Sequence, residues 1–332
     1  IVETNLALTA GGTVNFTDST TDVDNLAVSA ASQTVTFTDL DGIDIDTVAG
    51  VAGVTATEFR LTAAGAVTQA QAIAVTGLVV VTTSTGAVTL TNASNAVTNL
   101  AIDVNSGNIA YTDSNGFSVT TVNSVTGVDT DSGSVALTAT TGNLTVVNTG
   151  ATNDIAATTT IALTATADNA VITIDSTAIV LSTGGAHTYT ADDILITGTI
   201  TASGQSVTLK SSTSSDAIIL GVAANGTADT LQFTDAELQS IAATTLTIGA
   251  SGAGAITIGG DVTPGSNSGA NVATVALITG STITATAGGI VETNLALTAG
   301  GTVNFTDSTT DVDNLAVSAA SQTVTFTDLD GI

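Results

Sequence analysis

The residues in this sequence best arranged for chemistry are carboxylates set two apart beside turn-forming residues. "DLDGIDID" carries Asp39, Asp41, Asp44 and Asp46, "DSTTDVDN" carries Asp18, Asp22 and Asp24, and "DTDSGS" carries Asp129 and Asp131. An oxygen-only ligand set at a turn suits a hard cation, which collects several oxygens at once. Asp39, Asp41, Asp129 and Asp131 are therefore the candidate calcium ligands. The competing expectation is a solvated acidic surface that cations only screen. Neither the full EF-hand pattern nor the nonapeptide Gly-Gly-x-Gly-x-Asp repeat occurs. No cofactor is required by anything in the sequence, and calcium is the one candidate.

Other chemistry is scarce. His187 is the only histidine, so neither a metal site built on His nor a relay between two of them can be assembled. A hydrogen-bonded core or corner histidine is expected there. The absence of Cys excludes disulfides and thiolate catalysis. Paired carboxylates could serve a polysaccharide hydrolase, whereas lyases of acidic sugars need clustered bases. Arg60 and Lys210 are the only two bases, and alternation with Phe59, Leu61 and Leu209 turns both outward to solvent. No catalytic residue is assigned, and the chain is expected not to be an enzyme.

Against those two bases stand 29 acids, a formal net charge of −27. That balance excludes the basic footprint of a nucleic-acid binder. The longest apolar run, residues 72 to 81, is interrupted by Thr76 and Gly77 and falls short of the ~20 residues of a membrane helix. No membrane span is expected. The chain is 43% hydrophobic but only 3% aromatic, so its core must be thin and built from Ala, Val, Leu and Ile. Burying many such groups at about 25 cal/mol per Å² offsets ordering entropy, which argues for a folded chain.

Repeats organise these features. Residues 290 to 332 copy residues 1 to 43 letter for letter, at an offset of 289. The expected organisation is one full tandem unit, 1–289, followed by the start of an identical unit, 290–332. Without the copy, one unit carries 23 acids and a net charge of −21. A shorter repeat lies inside it. "DNLAVSAASQTVTFTD", from Asp24, aligns without gaps at an offset of 74 on "TNLAIDVNSGNIAYTD", from Thr98, and "LQFTD" ending at Asp235 is a further trace. Each element reads as two strands of period two, with Leu26, Val28, Val35 and Phe37 facing one way and Ala27, Thr34 and Thr36 the other. No window has helical periodicity.

Two all-β folds can use such strands. In a parallel β-solenoid, or β-helix, short strands form coils that stack into one continuous core. In tandem immunoglobulin-like β-sandwiches the same strands pair antiparallel, and Gly11-Gly12 would close a hairpin. Sandwiches fill a wide core with aromatic anchors, so the thin core here favours the solenoid. Asn5, Asn25 and Asn99, each followed by Leu-Ala, also suit amide ladders running from coil to coil. Coils of roughly 20 to 25 residues rising about 4.8 Å would give about 12 to 14 coils per unit.

The runs "GAVTLTNASNAVTNLAIDVNSGNIAYTD" and "GSVALTATTGNLTVVNTG" resemble the filamentous-haemagglutinin-type repeats of large bacterial surface proteins. The resemblance implies a parallel β-helix secreted as an adhesin or fibre. It carries no functional residue over, because Gly-x-Val-x-Leu-Thr patterns describe coil packing.

The expected function is structural: an extracellular or cell-surface fibre, sheath or surface-layer filament lengthened by extending its β-core. The alternative is the stalk or spacer of a large adhesin. Ice binding is disfavoured because the pairs Thr34/Thr36, Thr164/Thr166 and Thr282/Thr284 share no common interval. Expected partners are further copies of the chain, end to end and laterally, and cations.

Overall fold

The computed structural model describes residues 1–226, 229–266 and 272–332. The chain is all-β, with 59% of residues in strands, and forms a parallel β-solenoid of about 14 turns in total. Two compact units divide it, Ile1–Ile161 and Ala162–Ile332.

In the first unit, strand Val2–Thr9 and strand Val14–Phe16 both pair in parallel with Asp22–Asp39, so that Leu6 lies beside Leu26 and Phe16 beside Phe37. Partners are 20 or 21 residues apart there, 21 or 22 between Ile73–Thr85 and Ala96–Ser106, and 26 between Ile109–Asp113 and Val135–Ala139. A coil has three faces. Phe117–Val119, Val128–Thr130 and Val135–Ala139 supply them in one coil, and Leu144–Val146 and Ile155–Ala157 continue the first two. One coil earlier the first two faces belong to a single long strand, Ala96–Ser106.

The second unit follows the same rule. Val171–Ile174 pairs with Asp193–Ile196, and Thr199–Lys210 continues both Ile179–Ser182 and His187–Thr190. Further along, Thr274–Thr279, Val291–Ala299 and Asp311–Ser318 stack in order on one face, and Ile283–Ala285, Val303–Phe305 and Val324–Phe326 on another.

Period-two alternation decides what is inside. Leu26, Val28, Val35 and Phe37 are fully buried, as are Leu78, Val80, Leu100 and Ile102 in later coils. Each contributes on the order of 1.5–3 kcal/mol by burial. Phe16 and Phe37 pack between coils with ring centroids 5.9 Å apart and planes tilted by 46°. The amide ladder forms where Asn25 Nδ2 donates to Asn5 Oδ1 at 3.0 Å, and again where Asn314 donates to Asn294 at 3.1 Å. Asn99 lies beside Gly77 and Ser118, which have no amide to extend the ladder.

Four features stand apart from a simple reading of the letters, the first of them only from the alternative sandwich. Gly11-Gly12 closes no hairpin, because the strands flanking it pair in parallel with the next coil instead. Ala27 faces outward yet is fully buried. The short hairpin Thr47–Val48 with Val51–Ala52 packs against the strand that carries it. A second hairpin, Thr121–Val122 with Val125–Thr126, covers Val79 and Ala101 in the same way. Third, a one-turn helix, Asp235–Gln239, interrupts the strands, started by a Thr234–Glu237 capping box. Fourth, Arg60 does face outward, but its guanidinium is paired with Glu58 two residues away on the same face.

The two hairpins extend the 74-residue repeat past Asp39 and Asp113, with Thr47, Val48, Val51 and Gly53 recurring as Thr121, Val122, Val125 and Gly127. Gly53 N–H donates to Asp46 O and its carbonyl accepts from Val28. Gly127 does the same with Thr120 and Ile102, 74 residues on in every case. Both glycines have positive φ, 64° and 73°. A Cβ at Gly53 would lie 2.0 Å from the Ala72 carbonyl oxygen, and one at Gly127 would lie 2.2 Å from that of Asp154. Gly53→Ala and Gly127→Ala should each lower stability by about 1–3 kcal/mol through forced backbone strain. Gly11→Ala, where a Cβ meets nothing within 4 Å, should change it by less than about 0.5 kcal/mol. Urea midpoints of the three variants check the contrast.

Candidate functional site

The four candidate ligands fall in two separate places in the first unit. Asp39 ends the strand Asp22–Asp39 and is buried at a coil corner. Its Oδ2 accepts from the Val23 N–H at 2.9 Å and its Oδ1 from the Asp41 N–H at 3.1 Å. Burial pushes its pKa up, against those two N–H bonds, and the charges of Asp41 and Asp22 push it the same way. Asp41 itself is exposed.

This corner recurs at the offset of 74. Asp113 Oδ2 accepts from the Val97 N–H at 2.8 Å and from the Tyr111 hydroxyl at 2.6 Å, and Oδ1 accepts from Asn115 N–H at 2.8 Å. In the second unit Asp328 takes the Val312 N–H at 3.0 Å. In all three corners the carboxylate reaches back 16 residues to hold the start of its own coil. Asp39 thus has a structural task that the sequence pattern did not reveal. The other acids of the same motif do different work: Asp18 bonds the Thr20 N–H and hydroxyl, and Asp235 opens the short helix.

Asp129 and Asp131 lie several coils away. Asp129 pairs in register with Asp103 on the adjoining strand, which places two outward carboxylates side by side. Burial and the neighbouring Asp131 raise the pKa of both, and for Asp129 the charge of Asp103 adds to it. Asp103 stands alone among Ile102 and Val104 in the sequence. Only the coil register brings it to Asp129, so spacing could not have found it. Two further sets in the second unit bring carboxylate oxygens within 4.8 Å of one another: Asp311 with Asp328 and Asp330, and Asp168 with Asp192 and Asp229. The first of these is the copy of Asp22, Asp39 and Asp41.

His187 occupies the core position expected of it. Its Nδ1 lies 3.0 Å from the Tyr189 hydroxyl and its Nε2 lies 2.8 Å from Ser182 Oγ, which itself donates to the Gly185 carbonyl. With the Ser182 proton committed to that carbonyl, Nε2 must carry the imidazole proton and Nδ1 must accept from Tyr189. Every group is then satisfied with the ring neutral, which leaves no free nucleophile or base. Burial lowers the His187 pKa to about 4.

No family model, curated protein or solved structure matches the chain.

Asp39→Ala orphans two backbone donors and should cost about 1–3 kcal/mol, in chelator as well as in calcium. Asp41→Ala should cost less than about 0.5 kcal/mol in chelator. Denaturant midpoints with and without calcium separate the structural task from a ligand's task. For His187, a folded pKa of about 4 against the ordinary 6.5 favours the fold in full above pH 6.5. The contribution of about 3 kcal/mol is lost as pH falls from there towards the folded value. Raised pKa values at Asp39, Asp113 and Asp129 act oppositely, because those folded carboxylates take up protons more readily. The single imidazole resonance, followed by NMR, should therefore titrate near pH 4; a midpoint near 6.5 would place the ring in solvent.

Proposed function

We propose that the chain is a structural repeat of an extracellular fibre, sheath or surface-layer filament, lengthened by adding coils to one β-core. One observation carries the reading: the identical 43-residue segments pair identically. Val2 lies beside Asp22 and Val14 beside Val35 in the first copy, and Val291 beside Asp311 and Val303 beside Val324 in the second. A repeat that keeps one register wherever it occurs is suited to extending a stack, and homogenised copies serve a polymer better than a catalyst. The filamentous-haemagglutinin-type resemblance fits a surface location, and the −27 charge calls for cations between laterally packed chains. Partners under this reading are further copies of the chain and those cations.

Negative-stain microscopy of native material tests it. Fibres composed chiefly of this protein are expected. Thin stalks ending in distinct heads would replace the reading with an adhesin spacer.

A further inference from the structure

At one corner of the second unit, acids gather just ahead of stacked strands. Asp168, Asp192 and Asp216 are 24 residues apart, and Asp229 follows. One oxygen from each of Asp168, Asp192 and Asp229 lies within 4.8 Å of the other two. Asp168 and Asp229 are exposed, whereas Asp192 is only 2% exposed. Its Oδ2 accepts from the Asn169 N–H at 3.1 Å, but its Oδ1 is buried without any hydrogen-bond partner. The Ser212 hydroxyl, on the coil that stacks on Ala191, is a second buried oxygen without a partner.

An orphaned buried carboxylate oxygen is costly, and the other corners avoid the cost. Asp39 and Asp113 engage both oxygens with N–H or O–H donors. Asp192 instead faces further carboxylates. Burial and the adjacent Asp216 raise its pKa, against the Asn169 N–H and the Thr213 hydroxyl. Neither base of the chain is paired at this corner: the Arg60 guanidinium is taken by Glu58, and Lys210, which ends the strand stacked on His187–Thr190, forms no ion pair among the described residues. A cation taken from solvent would satisfy Asp192 Oδ1 and offset the surrounding acids together, whereas a proton shared with Asp216 would satisfy the oxygen alone.

We propose that Asp168, Asp192 and Asp229 bind a calcium ion at this corner. Two oxygens on opposite sides of a calcium ion, each at about 2.4 Å, are about 4.8 Å apart, so the three oxygens fit one coordination sphere. The exposed flanks at Asp168 and Asp229 let water complete it. Three carboxylates from separate coils make an open site, which places the dissociation constant on the order of 10⁻⁴ M, as in extracellular calcium modules. The ion ties successive coils together through side chains, at a place where backbone donors leave an oxygen unpaired.

The test is equilibrium dialysis of the full chain against calcium chloride at fixed ionic strength. The variants are Asp168→Asn, Asp192→Asn and Asp229→Asn, with the exposed Asp24→Asn as control. Expected is one saturable calcium fewer per chain, or affinity at that site weakened at least about tenfold, in each of the three and not in the control. Asp192→Asn keeps the side-chain volume and removes the buried charge, so its melting temperature in chelator should equal or exceed that of the unsubstituted chain. Its calcium-dependent rise should shrink. Unchanged calcium binding in the three variants would overturn the proposal and leave Asp192 protonated. So would melting curves for the unsubstituted chain that are identical in calcium and in sodium at matched ionic strength.

Discussion

Parallel in-register stacking is the constraint on which everything else depends. In each ladder a residue's nearest neighbour is its equivalent one coil away, about 4.8 Å distant. For apolar residues this is favourable, and the stacks Val14 on Val35, Phe16 on Phe37 and Leu78 on Leu100 form the thin core. For charges it is not. Two carboxylates at that distance repel by about 1 kcal/mol in water and about 3 kcal/mol near a protein surface. The sequence respects the difference. Asp44 lies between Asn25 and Thr68, Glu58 between Thr34 and Gly77, and Asp39 beside Ala63. Asp103 beside Asp129 departs from the pattern, and there burial, the charge of Asp131 and lastly that of Asp103 raise the pKa of Asp129.

With so few bases, the chain cannot bury acids as ion pairs, yet it buries several. Backbone donors make this possible. Asp39 and Asp113 neutralise nothing; they accept N–H bonds that would otherwise be unpaired where a coil turns. Glu237 works the same way, taking the N–H groups of Ile196 and Thr234. Acids in this fold are therefore of two kinds: corner acceptors that fix the coil, and surface acids that must be screened. Asp192 and Glu292 belong to neither, because they are buried like the first kind while Asp192 Oδ1 and Glu292 Oε1 lack a donor.

Period two was legible because every strand has one face in the core, so Leu26, Val28, Val35 and Phe37 could be placed from letters alone. The 74-residue repeat was legible as far as Asp113. It continues into the hairpins, where "TVAGVAG" and "TVNSVTG" share Thr, two Val and the final Gly that needs positive φ, a match of four letters too short to stand out in a Thr- and Val-rich chain. The burial of Ala27 was hidden because an alanine on a polar face is equally at home in solvent. The helix had a local signal in Thr234-Asp235-Ala236-Glu237, too short to register as periodicity. The candidate ligands were the least legible. Asp18, Asp39 and Asp235 each follow Phe-Thr, yet a turn, a corner and a helix start result. What a carboxylate does depends on which amides the adjoining coil presents, and that is a property of register.

The duplicated segment separates what a coil contributes from what its neighbour contributes. Register is identical in the two copies, so it is written in the 43 residues themselves. Burial is not. Val35, covered by a following coil, is 0% exposed, while its copy Val324 is 44% exposed. Glu3 is exposed, while its copy Glu292 is buried beneath the coil before it. The same letters thus supply strand pairing everywhere but acquire a closed core only from both sides at once. Since burial is the larger favourable term, most of a coil's stability comes from the coils on either side of it. Substitutions that leave a coil's own strands intact but alter the face it offers will therefore be felt mainly by its neighbours. Strict identity between copies removes that risk, because each copy then offers the face that an adjoining coil is shaped to meet.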